Sequence, residues 1–112
     1  MQVIQNTLTL GELKDIAAHL FGNMVKAVVD LEKETIAIDA ELHADLESLL
    51  IKQGSKQGDL WGINLYPELT GDQFVEFDSM INIRPSVGNR SRNVENEQLR
   101  RRITEIVGKR IK

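Results

Sequence analysis

Three groups of polar residues in this 112-residue chain are of types that do chemistry. Asp39, Glu41 and His43 alternate, so on an extended strand they line one face. Carboxylate oxygens and imidazole nitrogens are ligands for divalent cations, which makes this trio a candidate metal set. The plainer reading of His43 is a residue at the start of a following helix. A second group runs from Arg84 to Arg92 as RPSVGNRSR. Guanidinium forks, serines and a glycine just before a helix N-terminus are parts from which phosphate and carboxylate sites are built. Glu95 and Glu97 already bring negative charge to the start of that helix, and the competing reading is internal ion pairing of the arginines, Arg84 above all, with the acids of the polar sheet face. The third group offers paired carboxylates for acid–base work, Glu41 with Asp78 or Glu76 with Asp78. With His43 added, Glu41, His43 and Asp78 are the candidate catalytic residues of a small hydrolase, metal-dependent or phosphate-handling, with Arg84 as its anion partner. His19, outside the apolar stripe of its helix, reads as a solvated side chain.

Several chemistries drop out. The chain has no cysteine, which removes disulfides, thiolate metal sites and a thiol nucleophile. Neither GxxxxGK[ST] nor GxGxxG occurs, and no cofactor is implied. A net charge of −3 gives no general attraction to nucleic acid or anionic lipid. Nine of the fourteen basic residues follow position 83, but Arg100, Arg101 and Arg102 are consecutive and fan around a helix instead of forming a stripe. Nucleic acid is therefore not an expected partner. The opening residues lack a basic stretch followed by an apolar one, and no apolar run reaches the roughly 20 residues that span a bilayer. A cytoplasmic location and no membrane association are the expectations.

The elements that must position these groups are legible from periodicity. With 41% hydrophobic and 28% charged residues, the chain has the composition of an ordinary globular domain, and residues 1–112 read as one. Thr9 and Glu12 fit a capping box, Leu8 and Leu13 a hydrophobic staple, and Gly22 a left-handed stop, so a helix is predicted over about Leu10–Phe21. Val25, Ala27, Val29 and Leu31 alternate along a first strand, and Ile36, Ile38, Ala40 and Leu42 along a second. Facing Leu31 with Ile36 makes Glu32–Thr35 the loop and sets Lys26 opposite Glu41. A second helix follows over about Ala44–Gln53. LWGINLY and FVEFDSMINIR are read as the third and fourth strands. The last helix carries Leu99, Ile103, Ile106, Val107 and Ile111 as its stripe, with Asn93 or Asn96 as N-cap. The predicted fold is thus α+β, in the order α-β-β-α-β-β-α. Its four-stranded sheet is mainly antiparallel, and the helices cover one face.

On that plan the opposite face gathers Lys26, Asp30, Asp39, Glu41, Asn64, Tyr66, Glu76, Asp78, Asn82 and Arg84. A solvated face explains polarity, but not the residue types. Asp and Asn are poor strand formers, so Asp39, Asp78 and Asn82 call for a compensating partner. The expected ligand-binding residues are Asn64, Tyr66, Asn82, Arg84, Asn89, Arg90 and Arg92. The expected occupant is a small anionic ligand or a protein partner, including a second copy of the chain as a homodimer.

The segments ELHADLESLL, LWGINLYPE and FDSMINIRPSVGNRSR resemble a family of short bacterial proteins known as a domain of unknown function. The resemblance spans nearly the whole chain. It implies a single-domain, cytoplasmic, bacterial-type protein and assigns no activity, cofactor or site residue. A binding module is the leading expectation and the small hydrolase its rival.

Overall fold

The computed structural model describes all residues from Met1 to Lys112. In chain order the elements are β1 (Gln2–Ile4), α1 (Leu10–His19), β2 (Val25–Asp30), β3 (Thr35–Ile38), α2 (His43–Lys52), β4 (Leu60–Leu65), β5 (Val75–Glu76) and α3 (Glu97–Arg110). The strands form one sheet in the order β1-β3-β2-β4-β5, with every neighbouring pair antiparallel. The α+β class holds. The sheet has five strands, not four, because the opening residues Gln2–Ile4 pair with β3.

Local chemistry sets the helix ends. Thr9 Oγ1 accepts from the Glu12 N–H and Glu12 Oε1 from the Thr9 N–H, both at 3.1 Å, completing the capping box. Leu8 and Leu13 are buried in the same core. Helix α1 stops at His19, and the Gly22 N–H reaches back to the Ala17 carbonyl with φ at 90°. Asn96, not Asn93, caps α3, its Oδ1 accepting from the N–H groups of Gln98 and Leu99.

The strand alternation divides two cores. Val25, Ala27 and Val29 of β2, Ile36 and Ile38 of β3, and Trp61, Ile63 and Leu65 of β4 pack with α1 and α3. The intervening Val28, Ala37 and Leu60 pack with Leu46 and Leu50 of α2. Helices therefore cover both faces of the sheet, which corrects the one-sided plan. The cause lies in the sequence: Val28 and Ala37 give the supposedly polar face an apolar centre, and an amphipathic α2 is the element that buries it.

The hairpin register also differs. Val29 faces Ile36 and Asp30 faces Thr35, two residues from the predicted pairing. Asp30 sets the turn, its Oδ1 accepting from the N–H groups of Glu32 and Lys33 while Glu34 takes a left-handed φ of 54°. A two-residue shift keeps every side chain on its face, so the core survives the error while the Lys26–Glu41 pair does not form. The turn is clamped by α3. Arg102 donates to the Leu31 carbonyl at 2.6 Å, Arg110 donates to the Glu34 carbonyl at 2.7 Å, and Lys109 lies 2.7 Å from the Glu34 carboxylate. That lysine holds the Glu34 carboxyl below its ordinary value.

The largest departure is the predicted strand over residues 74–84. Only Val75 and Glu76 pair with β4. Beyond them the chain passes over the α2 side of β4 in a short turn, Met80–Asn82, whose start is held by Ser79 Oγ accepting from the Ile81 N–H. Side chains then replace the missing strand. Asn82 Oδ1 accepts from the Gly62 N–H at 2.8 Å, and Asn82 Nδ2 donates to the Gly62 carbonyl at 2.9 Å. One turn of pleat further on, Arg84 Nη2 donates to the Leu60 carbonyl at 2.6 Å. The approach requires a glycine, since a Cβ at position 62 would lie 2.5 Å from the Ser79 Cβ. Gly62→Ala is therefore expected to cost about 1–3 kcal/mol, the range for overpacking a well-filled interior. Urea unfolding measures this, and Ser79→Gly in the same chain should restore part of the loss.

Candidate functional site

The face expected to be an open polar surface is mostly closed. Helix α2 and the Ser79–Asn82 segment cover its centre, and Asp30, Asn64 and Asn82 bond inward. Asp30 is buried, with Oδ2 accepting from Ser55 Oγ. Asn64 is buried and donates to Glu76 Oε1 at 2.8 Å and to the Asp78 carbonyl at 3.2 Å. Tyr66 donates to the same Glu76 oxygen at 3.0 Å. Burial, then that hydrogen bond, raises the Tyr66 phenol above its ordinary value. Asn82 holds Gly62 and also donates to the Arg92 carbonyl at 3.0 Å. The compensation that poor strand formers demand is thus supplied within the chain.

The metal set is not assembled, and Glu76, Asp78 and His43 of the acid–base sets are engaged within the chain. Strand β3 ends at Ile38 because Asp39 turns left-handed at φ 73°, and His43 begins α2, as the plainer reading has it. Asp39 lies near the N-terminal ammonium, Glu41 is exposed, and no three His, Asp or Glu side chains group to hold a metal ion. Asp78 is paired with Arg92. His43 is buried, with Nε2 only 2.8 Å from the Ile63 carbonyl oxygen, so that nitrogen carries the hydrogen and is spent on the fold.

The Arg84–Arg92 loop closes on itself. Arg84 and Asn89 exchange backbone hydrogen bonds of 2.7 and 3.1 Å around the turn Pro85–Val87, and Gly88 supplies the left-handed residue at φ 84°. Asn89 is buried, donating to the carbonyls of Asn82 and Asn93 at 2.7 Å and accepting from the Glu95 N–H. The loop does hold an anion, through its backbone and a serine, but the anion is the chain's own Glu95. Its Oε2 accepts from the Arg90 N–H at 2.7 Å and from the Ser91 N–H and Oγ at 2.9 Å. The Ser91 hydroxyl first, then the two amides, keep the Glu95 carboxyl below its ordinary range. Arg90 contributes its backbone only, and its side chain is exposed.

Arg84 is different. Its guanidinium lies 4.8 Å from the centre of the Trp61 ring, a cation–π stack, and 3.5 Å from Glu47 of α2. Burial lowers its proton affinity and Glu47 opposes that, though an arginine stays charged. Nη2 bonds the Leu60 carbonyl, whereas Nε and Nη1 are buried with no partner, as is the Trp61 indole Nε1. These two side chains form one wall of a pocket of about 420 Å³. Val87 and Leu99 supply apolar surface, and Glu95 and Asn96 face it from the start of α3. Of the seven expected binding residues, Arg84 and Asn89 line this pocket, whereas Asn64, Tyr66, Asn82, Arg90 and Arg92 do not. Trp61 was missed because its strand alternation marks it as core, which it also is.

His43 generates a pH prediction. Burial first, with Lys26 and Arg92 adding, lowers its pKa from the ordinary 6.5, against the Ile63 carbonyl and Asp78, which raise it. The unfolded chain then binds the proton more readily. The contribution of neutral His43 is whole above pH 6.5 and is lost as pH falls through the folded value. Urea melts should show stability declining below pH 6.5 by up to about 1.4 kcal/mol per pH unit. His43→Gln should flatten that slope.

No helix is long and apolar enough to cross a membrane. No curated protein and no solved structure matches the chain. A family model described as "Protein of unknown function (DUF5674)" matches residues 2–110, and the chain belongs to that family.

Proposed function

We propose that this protein is a small cytoplasmic binding module that takes an organic anion into the pocket walled by Trp61 and Arg84. One observation carries the reading: a buried guanidinium with two N–H-bearing nitrogens lacking partners stands beside an indole N–H in the same condition, and both side chains line a pocket. Those nitrogens are closed to solvent, so a ligand reaches them only as the Arg84 side chain turns toward the pocket. Leaving a buried donor unpaired costs about 1–3 kcal/mol, and an acceptor that meets them gains more than one brought to solvated arginines such as Arg90. The volume sits at the small end of ligand pockets, about 300–1,000 Å³, and Trp61, Val87 and Leu99 set apolar surface beside the polar groups of Arg84, Asn89, Glu95 and Asn96. Val87, mostly exposed at the tip of its turn, gives the rim an apolar edge.

Trp61 is the single tryptophan, so its emission and its one indole N–H resonance report on this wall directly. Titration with 4-methylpentanoate, benzoate and inorganic phosphate into the millimolar range should give a saturable change with at least one of them. Arg84→Met, checked for folding by circular dichroism, should weaken that binding tenfold or more. Failure of all three to move the indole resonance, or equal binding by the Met variant, overturns the proposal.

A further inference from the structure

The charges around the pocket restrict what kind of anion fits. Arg84 provides a cation in one wall, and Glu95 a carboxylate in another. Only one oxygen of Glu95 is used: Oε2 gathers the Arg90 and Ser91 donors, while Oε1 takes no hydrogen bond from the protein. Those donors stabilise the ionised form, so the carboxylate stays charged at neutral pH. Glu95 is exposed at the rim, and a ligand with only negative charge would meet Arg84 favourably and Glu95 unfavourably. A ligand with only positive charge would meet the reverse. A ligand bearing both charges satisfies both walls, and Val87, Leu99 and Trp61 give an apolar side chain somewhere to lie. Asn96 adds an amide whose Oδ1 caps α3 and whose Nδ2 makes no hydrogen bond within the chain.

From this juxtaposition we infer that the pocket takes a small zwitterion, an α-amino acid with an apolar side chain, its carboxylate toward Arg84 and its ammonium toward Glu95 Oε1. This rests on the anion reading above and adds the second pole. The pocket is large enough for a single amino acid.

Three-way comparisons test it on the wild-type protein through the Trp61 signal. Leucine is set against 4-methylpentanoate, which lacks the ammonium, and 3-methylbutylamine, which lacks the carboxylate. Phenylalanine is set against 3-phenylpropanoate and 2-phenylethylamine. At least one amino acid should bind tenfold or more tighter than both of its single-charge analogues. Glu95→Gln retains a carbonyl oxygen for the Arg90 and Ser91 donors. It should shrink that preference to threefold or less and leave binding of the acid in place. Acids that bind as tightly as their amino acids would overturn the zwitterion inference alone. Failure of every carboxylate, with or without an ammonium, would likewise overturn the zwitterion inference, and failure of inorganic phosphate as well would overturn the anion reading itself.

Discussion

The amide of Asn82 on the backbone of Gly62 is the interaction from which the rest of this surface follows. A sheet edge needs partners for its N–H and C=O groups, and β4 finds them in three forms along its length. At Asn64 and Leu65 the partner is the backbone of β5. At Gly62 it is a side-chain amide, and at Leu60 a guanidinium. An asparagine amide carries the same donor and acceptor as a peptide group, so it can occupy a ladder position without a strand behind it. The exchange frees the chain from strand geometry after Glu76. Ser79 can then lie against the bare Cα of Gly62, and Arg84 arrives at the end of β4, where it stacks on Trp61.

The placement of Arg84 carries opposing energies. Removing a cation from water costs several kcal/mol, and the stack on Trp61 returns on the order of 1–2. Its contact with Glu47, at 3.5 Å, is an ion pair in which the Glu47 oxygen makes no hydrogen bond. Two nitrogens of the guanidinium remain unsatisfied. Other charged groups here have partners: Asp78 has Arg92, Glu34 has Lys109, and one oxygen of Glu95 has its own loop. Against that background, an arginine held in place by its surroundings and short of acceptors is the feature on which the proposed binding role rests. The same contrast separates Arg84 from Arg90, whose charge is already met by water.

Much of the scaffold was legible in the sequence. Capping residues, the alternation of β2 and β3 and the stripe of α3 are local signals, and each names its own partners within a few residues. The polar strand was misread because alternation of Val75, Phe77, Ile81 and Ile83 satisfies strand periodicity while saying nothing of the backbone between them. Its clue was present in the poor strand propensity of Asp78 and Asn82, which correctly demanded compensation. That the compensation is Gly62, twenty residues earlier in the chain, depends on how the fold brings them together. Likewise, the anion-holding loop was recognised and its occupant was not: Glu95 lies only four residues beyond Ser91, yet whether it folds back depends on Asn89 knotting the loop. Helix α2 was placed on the wrong face because Val28 and Ala37 look incidental among polar neighbours until Leu46 and Leu50 are seen to need them.

Native-state amide hydrogen exchange at Gly62 tests this account most directly, because that N–H has Asn82 Oδ1 as its acceptor. The side-chain pairing predicts slow exchange in the wild-type chain, comparable to the core amides of β2 and β3, and acceleration by tenfold or more in Asn82→Ala while those core amides stay slow. Rapid exchange at Gly62 in the wild-type chain, or protection that the Ala substitution leaves unchanged, would contradict it.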